Sequence, residues 1–180
     1  MRMRALFGLG IGVWLGMGSV IAVADEFPSG DWTWSVDGEF FYAGTVNDAG
    51  QMLAQLCYPE TGNCVYAVGF NTNCEKDNSY PAMVNTDEGA ASIELLCGGK
   101  LDDGGNLMLP QNFEQMDTLV RKSNRIGFAL PMEGDKFKAI RFSLKGSVQA
   151  LDAMRKFAAN ANAQTPDAKK VKSGKDSEVF

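Results

Sequence analysis

The residues in this 180-residue chain whose type and spacing first point to chemistry are its four cysteines, in the series Cys57-x6-Cys64-x9-Cys74-x22-Cys97. A structural zinc site draws on a short Cys-x-x-Cys knuckle or on histidines, and the chain has neither that spacing nor any histidine. A thioredoxin-type redox centre also needs Cys-x-x-Cys. What remains is a structural role, disulfides formed in an oxidising compartment. The stretch CYPETGNC, Cys57–Cys64, supports it. Its flanks, Gln51–Tyr58 and Asn63–Phe70, are strand-like and enclose a Pro/Gly turn, which reads as a hairpin with a four-residue loop. If Tyr58 pairs with Asn63, Cys57 lies opposite Cys64 at ~4.5–5.5 Å between Cα atoms, within the ~4.4–6.8 Å that a disulfide spans. Four cysteines allow three pairings, and sequence alone does not choose among them. The hairpin favours Cys57–Cys64 with Cys74–Cys97.

Other chemistries find no footing. Nucleophilic pairs of the Ser/His or Cys/His kind need a histidine, and no Ser-x-x-Lys opens a helix. The loop GGKLDDGGN, Gly98–Asn106, has neither the Walker nor the dinucleotide spacing. Its Asp102, Asp103 and Asn106 offer oxygen ligands for calcium, but the EF-hand alternation and its bidentate Glu are missing. Asp, Gly and Asn there suit a turn. No metal and no cofactor is expected. A glycosidase needs two carboxylates at a set separation, and nothing selects a pair from the many available. A non-enzymatic protein is therefore expected.

Residues that could bind rather than react fall in two places. Trp32 and Trp34 share one face of a first strand, beside Phe40, Phe41 and Tyr42. Such a cluster packs a core or forms a platform for a glycan or protein partner. The second place is basic. Residues 25–120 hold 16 acids against only Lys76 and Lys100, whereas residues 121–156 hold 9 bases against Glu133, Asp135 and Asp152. The two halves neutralise one another across a folded surface, or Lys138, Arg141 and Lys145 form a basic face for an anionic partner. Net charge −5 without interleaved basic and aromatic residues argues against nucleic acid.

The elements that must position these residues are mostly short strands. Asp31–Val36, Glu39–Val46, Gln51–Tyr58 and Asn63–Phe70 follow one another through turns, the last three as a meander. Tyr80–Asn85 and Ala91–Cys97 pair around Thr86–Gly89, and Gly98–Asn106 is a loop. Phe113–Lys122 carries Phe113, Met116, Leu119 and Val120 at helical spacing. Ile126, Phe128 and Leu130 alternate on one strand and Ile140, Phe142 and Leu144 on its partner, around Pro131–Lys136. Ser147 then N-caps a helix with the stripe Val148, Leu151, Met154 and Ala158, on which Asp152 reaches Arg155 or Lys156. The fold class expected is mainly β: a disulfide-stapled antiparallel β-sandwich or open barrel with a C-terminal helix.

Arg2 and Arg4 precede the apolar run Ala5–Val23, and Ala22 and Ala24 supply the small residues of a signal-peptidase site. Residues 1–24 are expected to be a signal peptide, 25–160 one β-rich domain, and 161–180 a disordered tail poor in apolar residues. After cleavage no other run approaches membrane length, so the product is periplasmic or secreted without stable membrane insertion.

The stretch FKAIRFSLKGSVQALDAM, Phe137–Met154, resembles the C-terminal end of the invasion-associated locus B family of exported bacterial proteins. In that family a final strand runs through Ser-Leu-Lys-Gly, here Ser143, Leu144, Lys145 and Gly146, into a helix with an Ala-Leu pair, here Ala150 and Leu151. The resemblance covers Arg125–Met154. It implies a β-rich, non-enzymatic, periplasmic or secreted protein, and it assigns no catalytic residues. The function expected is an exported binding protein whose partner is a protein or an envelope or host-surface component. Two alternatives stand beside it: a periplasmic inhibitor or immunity protein against a cell-wall hydrolase, whose basic surface the acidic half suits, and a small carbohydrate-active enzyme.

Overall fold

The computed structural model describes residues 26–37, 40–101, 105–132, 134 and 136–164. The expected signal peptide, Asp102 and Asp103 of the glycine–aspartate loop, and residues 165–180 of the expected tail lie outside the described residues. Ten strands and two helices follow in chain order. They are β1 (Phe27–Ser29), β2 (Trp32–Asp37), β3 (Phe40–Val46), β4 (Met52–Cys57), β5 (Cys64–Phe70), β6 (Ser79–Thr86), β7 (Gly89–Lys100), β8 (Asn106–Pro110), α1 (Phe113–Lys122), β9 (Arg125–Met132), β10 (Lys136–Ser143) and α2 (Ser147–Gln164). All ten strands join one antiparallel sheet in the order β1-β2-β3-β4-β5-β8-β7-β6-β9-β10. The sheet curls but does not close, which makes it the open barrel of the two expected forms.

Turn chemistry sets the local pairings. The Tyr58 N–H donates to the Asn63 carbonyl at 2.9 Å, so Cys57 and Cys64 fall opposite one another as the hairpin reading requires. They are bonded, with Cα atoms 4.0 Å apart. Cys74 and Cys97 are bonded as well, at 6.1 Å, and tie the segment after β5 to β7. The glycine–aspartate stretch is less of a loop than its composition implies. β7 runs on to Lys100 through a register shift between Cys97 and Gly99, and β8 begins at Asn106. β8 lies between β5 and β7 and bridges the two halves of the sheet.

The inner face of the sheet and both helices enclose the core. Phe70, Phe128 and Phe142 meet edge to face with centroids 6.1 Å apart at each contact. Met108 and Val84 pack in the same core cluster. α2 crosses β1–β4, and Ala150, Leu151, Met154 and Ala158 form its buried stripe. Val148 is only half-buried. α1 spans the residues its periodicity marks and is capped by Asn112, whose side chain accepts from the Gln115 N–H.

Two local expectations for α2 are corrected. Ser147 is not the N-cap; it is the first helical residue, and its hydroxyl donates to the Val120 carbonyl at 3.1 Å, tying α2 to the end of α1. The residue before it, Gly146, gives the carbonyl that accepts the first helical N–H, from Ala150. Asp152 pairs with neither Arg155 nor Lys156 but with Arg121 of α1, at 2.8 Å. The neighbouring helix presents its guanidinium to Asp152, while Arg155 turns inward. α2 itself continues to Gln164, past the Asn160 boundary expected for the tail.

The ends of the sheet are held without strand pairing. The β1–β2 turn meets the β10–α2 junction, where the Asp31 N–H donates to the Lys145 carbonyl at 2.9 Å. The Trp32 indole N–H donates to the Ser143 carbonyl at 2.9 Å. The Ser143 hydroxyl donates to the Asp31 carboxylate at 2.6 Å. Gly30 and Gly146, both at positive φ (65° and 89°), are where the two backbones touch.

The cysteine pairing is directly testable. Oxidised protein should weigh four hydrogens less than its all-thiol form, with proteolytic fragments linked as Cys57–Cys64 and Cys74–Cys97. Loop closure implies that removing the longer bridge by Cys74→Ser/Cys97→Ser costs about 3 kcal/mol in denaturant unfolding. Any other linkage, or free thiols, contradicts the pairing.

Candidate interaction surface

The densest polar cluster is a brace between the helices and the sheet. Tyr66 of β5 is buried, and its hydroxyl donates to Asp117 of α1 at 2.7 Å. Arg155 of α2 donates to both Asp117 oxygens, and its Nε donates to the Gln55 side-chain oxygen of β4 at 2.8 Å. Its guanidinium also lies over the Phe113 ring, 5.7 Å from the centroid. Burial acts to raise the Asp117 pKa, but hydrogen bonds from Arg155 and Tyr66 outweigh it and hold the carboxyl below its ordinary range. Burial first, then the bond to Asp117, pushes the Tyr66 phenol far above its ordinary range. Tyr66, Asp117 and Arg155 thus satisfy one another and lock the helices to the sheet, whereas the Gln55 amide nitrogen is buried without a hydrogen-bond partner among the described residues. Sequence reading missed the cluster because its members come from four separate elements.

The residues singled out in the sequence do not come together. Trp32 is 0% exposed and its indole is committed to Ser143. Trp34 is half-buried, stacked on Phe27 at 4.6 Å and tilted against Phe157 at 5.6 Å. Strand alternation divides the basic residues. Lys138 shares the face of buried Ile140 and Phe142, and its ammonium donates to the Asn71 carbonyl. Arg141 lies on the opposite, outer face, exposed. Lys145 is exposed in the turn before α2, where its backbone serves the seam at Asp31.

Arg141 belongs instead to a surface that the sequence did not announce. Across β7, β6, β9 and β10 the register aligns Ser92, Met83, Ala129 and Ala139 in one row, and Ala90, Asn85, Gly127 and Arg141 in the next. All belong to the outer face, and Gly127, Ala129 and Ala139 keep its floor low. The result is a groove of about 400 Å³ walled by Met83, which is 55% exposed, and flanked by Arg125 and Arg141. Arg125 pairs with Asp87 at 2.8 Å. The Asp87 carboxyl also accepts the Asn124 N–H, and that bond first, with Arg125 adding to it, lowers its pKa. Arg141 has no ion pair among the described residues. Small residues in two adjacent rows, one mobile thioether and an uncommitted guanidinium make a surface that can take up another molecule's side chains.

Fold and surface together define a small, twice-bridged, open antiparallel barrel with two helices braced against it and, among the described residues, an uncovered outer face. No protein-family model matches the chain, and no curated protein matches it in sequence. Among solved structures its fold is similar to the crystal structure of invasion associated protein b from Bartonella henselae, with a TM-score of 0.56 and 16% identity. The likeness covers 74% of this chain and 98% of that one. At that identity it is a likeness of fold. No helix among the described residues is long and apolar enough to cross a membrane.

The brace gives a signed pH dependence. A carboxyl whose folded pKa is lowered contributes stability above its unfolded value of about 3.9, lost as pH falls through the folded value. Asp117→Asn should therefore destabilise the protein at neutral pH, and the gap to wild type should narrow as pH drops below about 4. Tyr66, with a raised folded pKa, contributes below its unfolded value of about 10 and loses that contribution above it. Ultraviolet titration should leave one of the four tyrosines silent until the protein unfolds. A gap independent of pH, or four tyrosines titrating together, contradicts the brace.

Proposed function

We propose that this chain is an exported binding protein of the bacterial envelope, periplasmic or secreted, that acts through the outer face of β6, β9 and β10 rather than by catalysis. The observation that carries this reading is the groove with its small-residue floor and Arg141, which has no ion pair among the described residues, on a face that neither helix covers. Two disulfides are in keeping with an oxidising compartment. The fold likeness to invasion associated protein b points the same way, as does the apolar, basic-headed start of the chain. Within the groove, Arg141 supplies the charge-assisted hydrogen bonds and Met83 the apolar contact. The partner is accordingly a protein or surface component presenting a carboxylate or phosphate beside an aliphatic or aromatic group.

Ala129→Arg fills the groove floor at a half-buried position whose side chain points out of the core, and surface changes usually stay within ~0.5 kcal/mol. With the unfolding midpoint unchanged, this variant and Arg141→Glu should each fail to recover a partner that wild type cross-links from envelope or host-surface extract. Equal recovery by wild type and both variants contradicts the assignment of this face.

A further inference from the structure

A second cavity lies at one end of the barrel, between the segment after β5 and the β9–β10 hairpin, with a volume of about 820 Å³. Its floor is apolar, for Met108 and Leu130 line it at 0% and 4% exposure. At the mouth, Met132 remains 41% exposed, a large apolar side chain left in water beside a cavity. The opposite wall is Thr72–Cys74. The Cys74–Cys97 bridge holds it, and so does the Asn106 amide, which donates to the Thr72 carbonyl. The wall is therefore built in place.

The charged residues of the lining are Lys136 and Lys138. Two apart on β10, they point to the same side of the strand. Lys138 donates to the Asn71 carbonyl, which satisfies a hydrogen bond without neutralising the charge. Among the described residues neither ammonium has a carboxylate partner. An apolar floor behind two uncompensated cations, in a cavity within the ~300–1,000 Å³ range of small-molecule sites, is complementary to one kind of molecule.

We propose that this cavity binds a single-chain amphiphile with an anionic head, a long-chain carboxylate. Its hydrocarbon lies over Met108 and Leu130 under Met132, and its carboxylate meets Lys136 and Lys138. The apolar contact displaces water from a concave surface, and the head gains from a partly desolvated setting in which each ammonium acts more strongly than in bulk water. The site is separate from the outer groove and does not rest on the assignment of that face.

Titration calorimetry of the full oxidised chain with dodecanoate below its micelle concentration tests this, run beside dodecanol and inorganic phosphate. The expected result is saturable binding of dodecanoate, weaker binding of dodecanol and none of phosphate. Lys136→Glu/Lys138→Glu should weaken dodecanoate by at least ~10-fold through charge reversal. Met132→Ser should weaken dodecanoate and dodecanol alike, and these substitutions sit at the mouth, where the unfolding midpoint reports that folding is intact. Ala129→Arg, on the outer face, should leave the titration unchanged, so a failed groove and a failed cavity are told apart. Absence of saturable dodecanoate binding overturns the proposal. So does phosphate binding as tight as dodecanoate, or affinity that neither the lysine double variant nor Met132→Ser alters.

Discussion

Ser29–Gly30 and Lys145–Gly146 approach so closely that side chains are excluded from both glycines, and the rest of the barrel depends on that approach. A Cβ on Gly146 would lie 1.6 Å from the Ser29 carbonyl oxygen, and one on Gly30 would lie 2.7 Å from that of Lys145. Both residues also need a positive φ, which glycine adopts without penalty. With the backbones in contact, the Asp31 and Trp32 donors reach Lys145 and Ser143. The open sheet is held shut there without a strand ladder. Trp32 closes the core at the seam, and the Gly146 carbonyl starts α2 on its path across β1–β4.

From that seam follow the positions of both helices and the surfaces left bare. α2 covers the short β1 edge, and its Arg155 arrives where Gln55 and Asp117 can take it. Arg121 and Asp152, and the Ser147 hydroxyl on Val120, fix α1 to α2. With both helices committed to β1–β5, β9 and each other, the outer face of β6, β9 and β10 has no layer over it among the described residues. Its groove exists because Gly127, Ala129 and Ala139 fall in register on neighbouring strands. The end cavity has a different origin, the bridged segment after β5 standing off from the β9–β10 hairpin.

Local structure was legible in the sequence, and long-range placement was not. The Cys57–Cys64 hairpin, the β9–β10 alternation and α1 all announce themselves because turn residues or periodicity lie within a few positions of one another. β8 did not, because Asn106–Pro110 is a short, non-alternating run that ends in proline and borders a glycine-rich stretch. Its strand character comes from β5 and β7 on either side. Trp32 and Trp34 read first as core of a first strand and only second as a platform. What decides for Trp32 is a carbonyl 111 residues away. The basic stretch looked like one face along the chain, yet a period of two sends Lys138 and Arg141 to opposite sides of β10. The Ser143–Gly146 resemblance falls on the seam itself, and the Cys74–Cys97 pairing was the other long-range contact that the sequence marked.

Equilibrium denaturant unfolding of Gly146→Ala against Gly134→Ala isolates the seam. Both glycines have positive φ, 89° and 72°, so both substitutions carry a similar backbone cost, but a Cβ at Gly134 meets nothing within 4 Å. Gly134→Ala should lose about 1 kcal/mol, the ordinary cost of a left-handed alanine. Gly146→Ala should lose more than about 4 kcal/mol or fail to fold, because the seam must part to admit the methyl group. Equal, small losses at the two positions would contradict the claim that this backbone contact holds the barrel together.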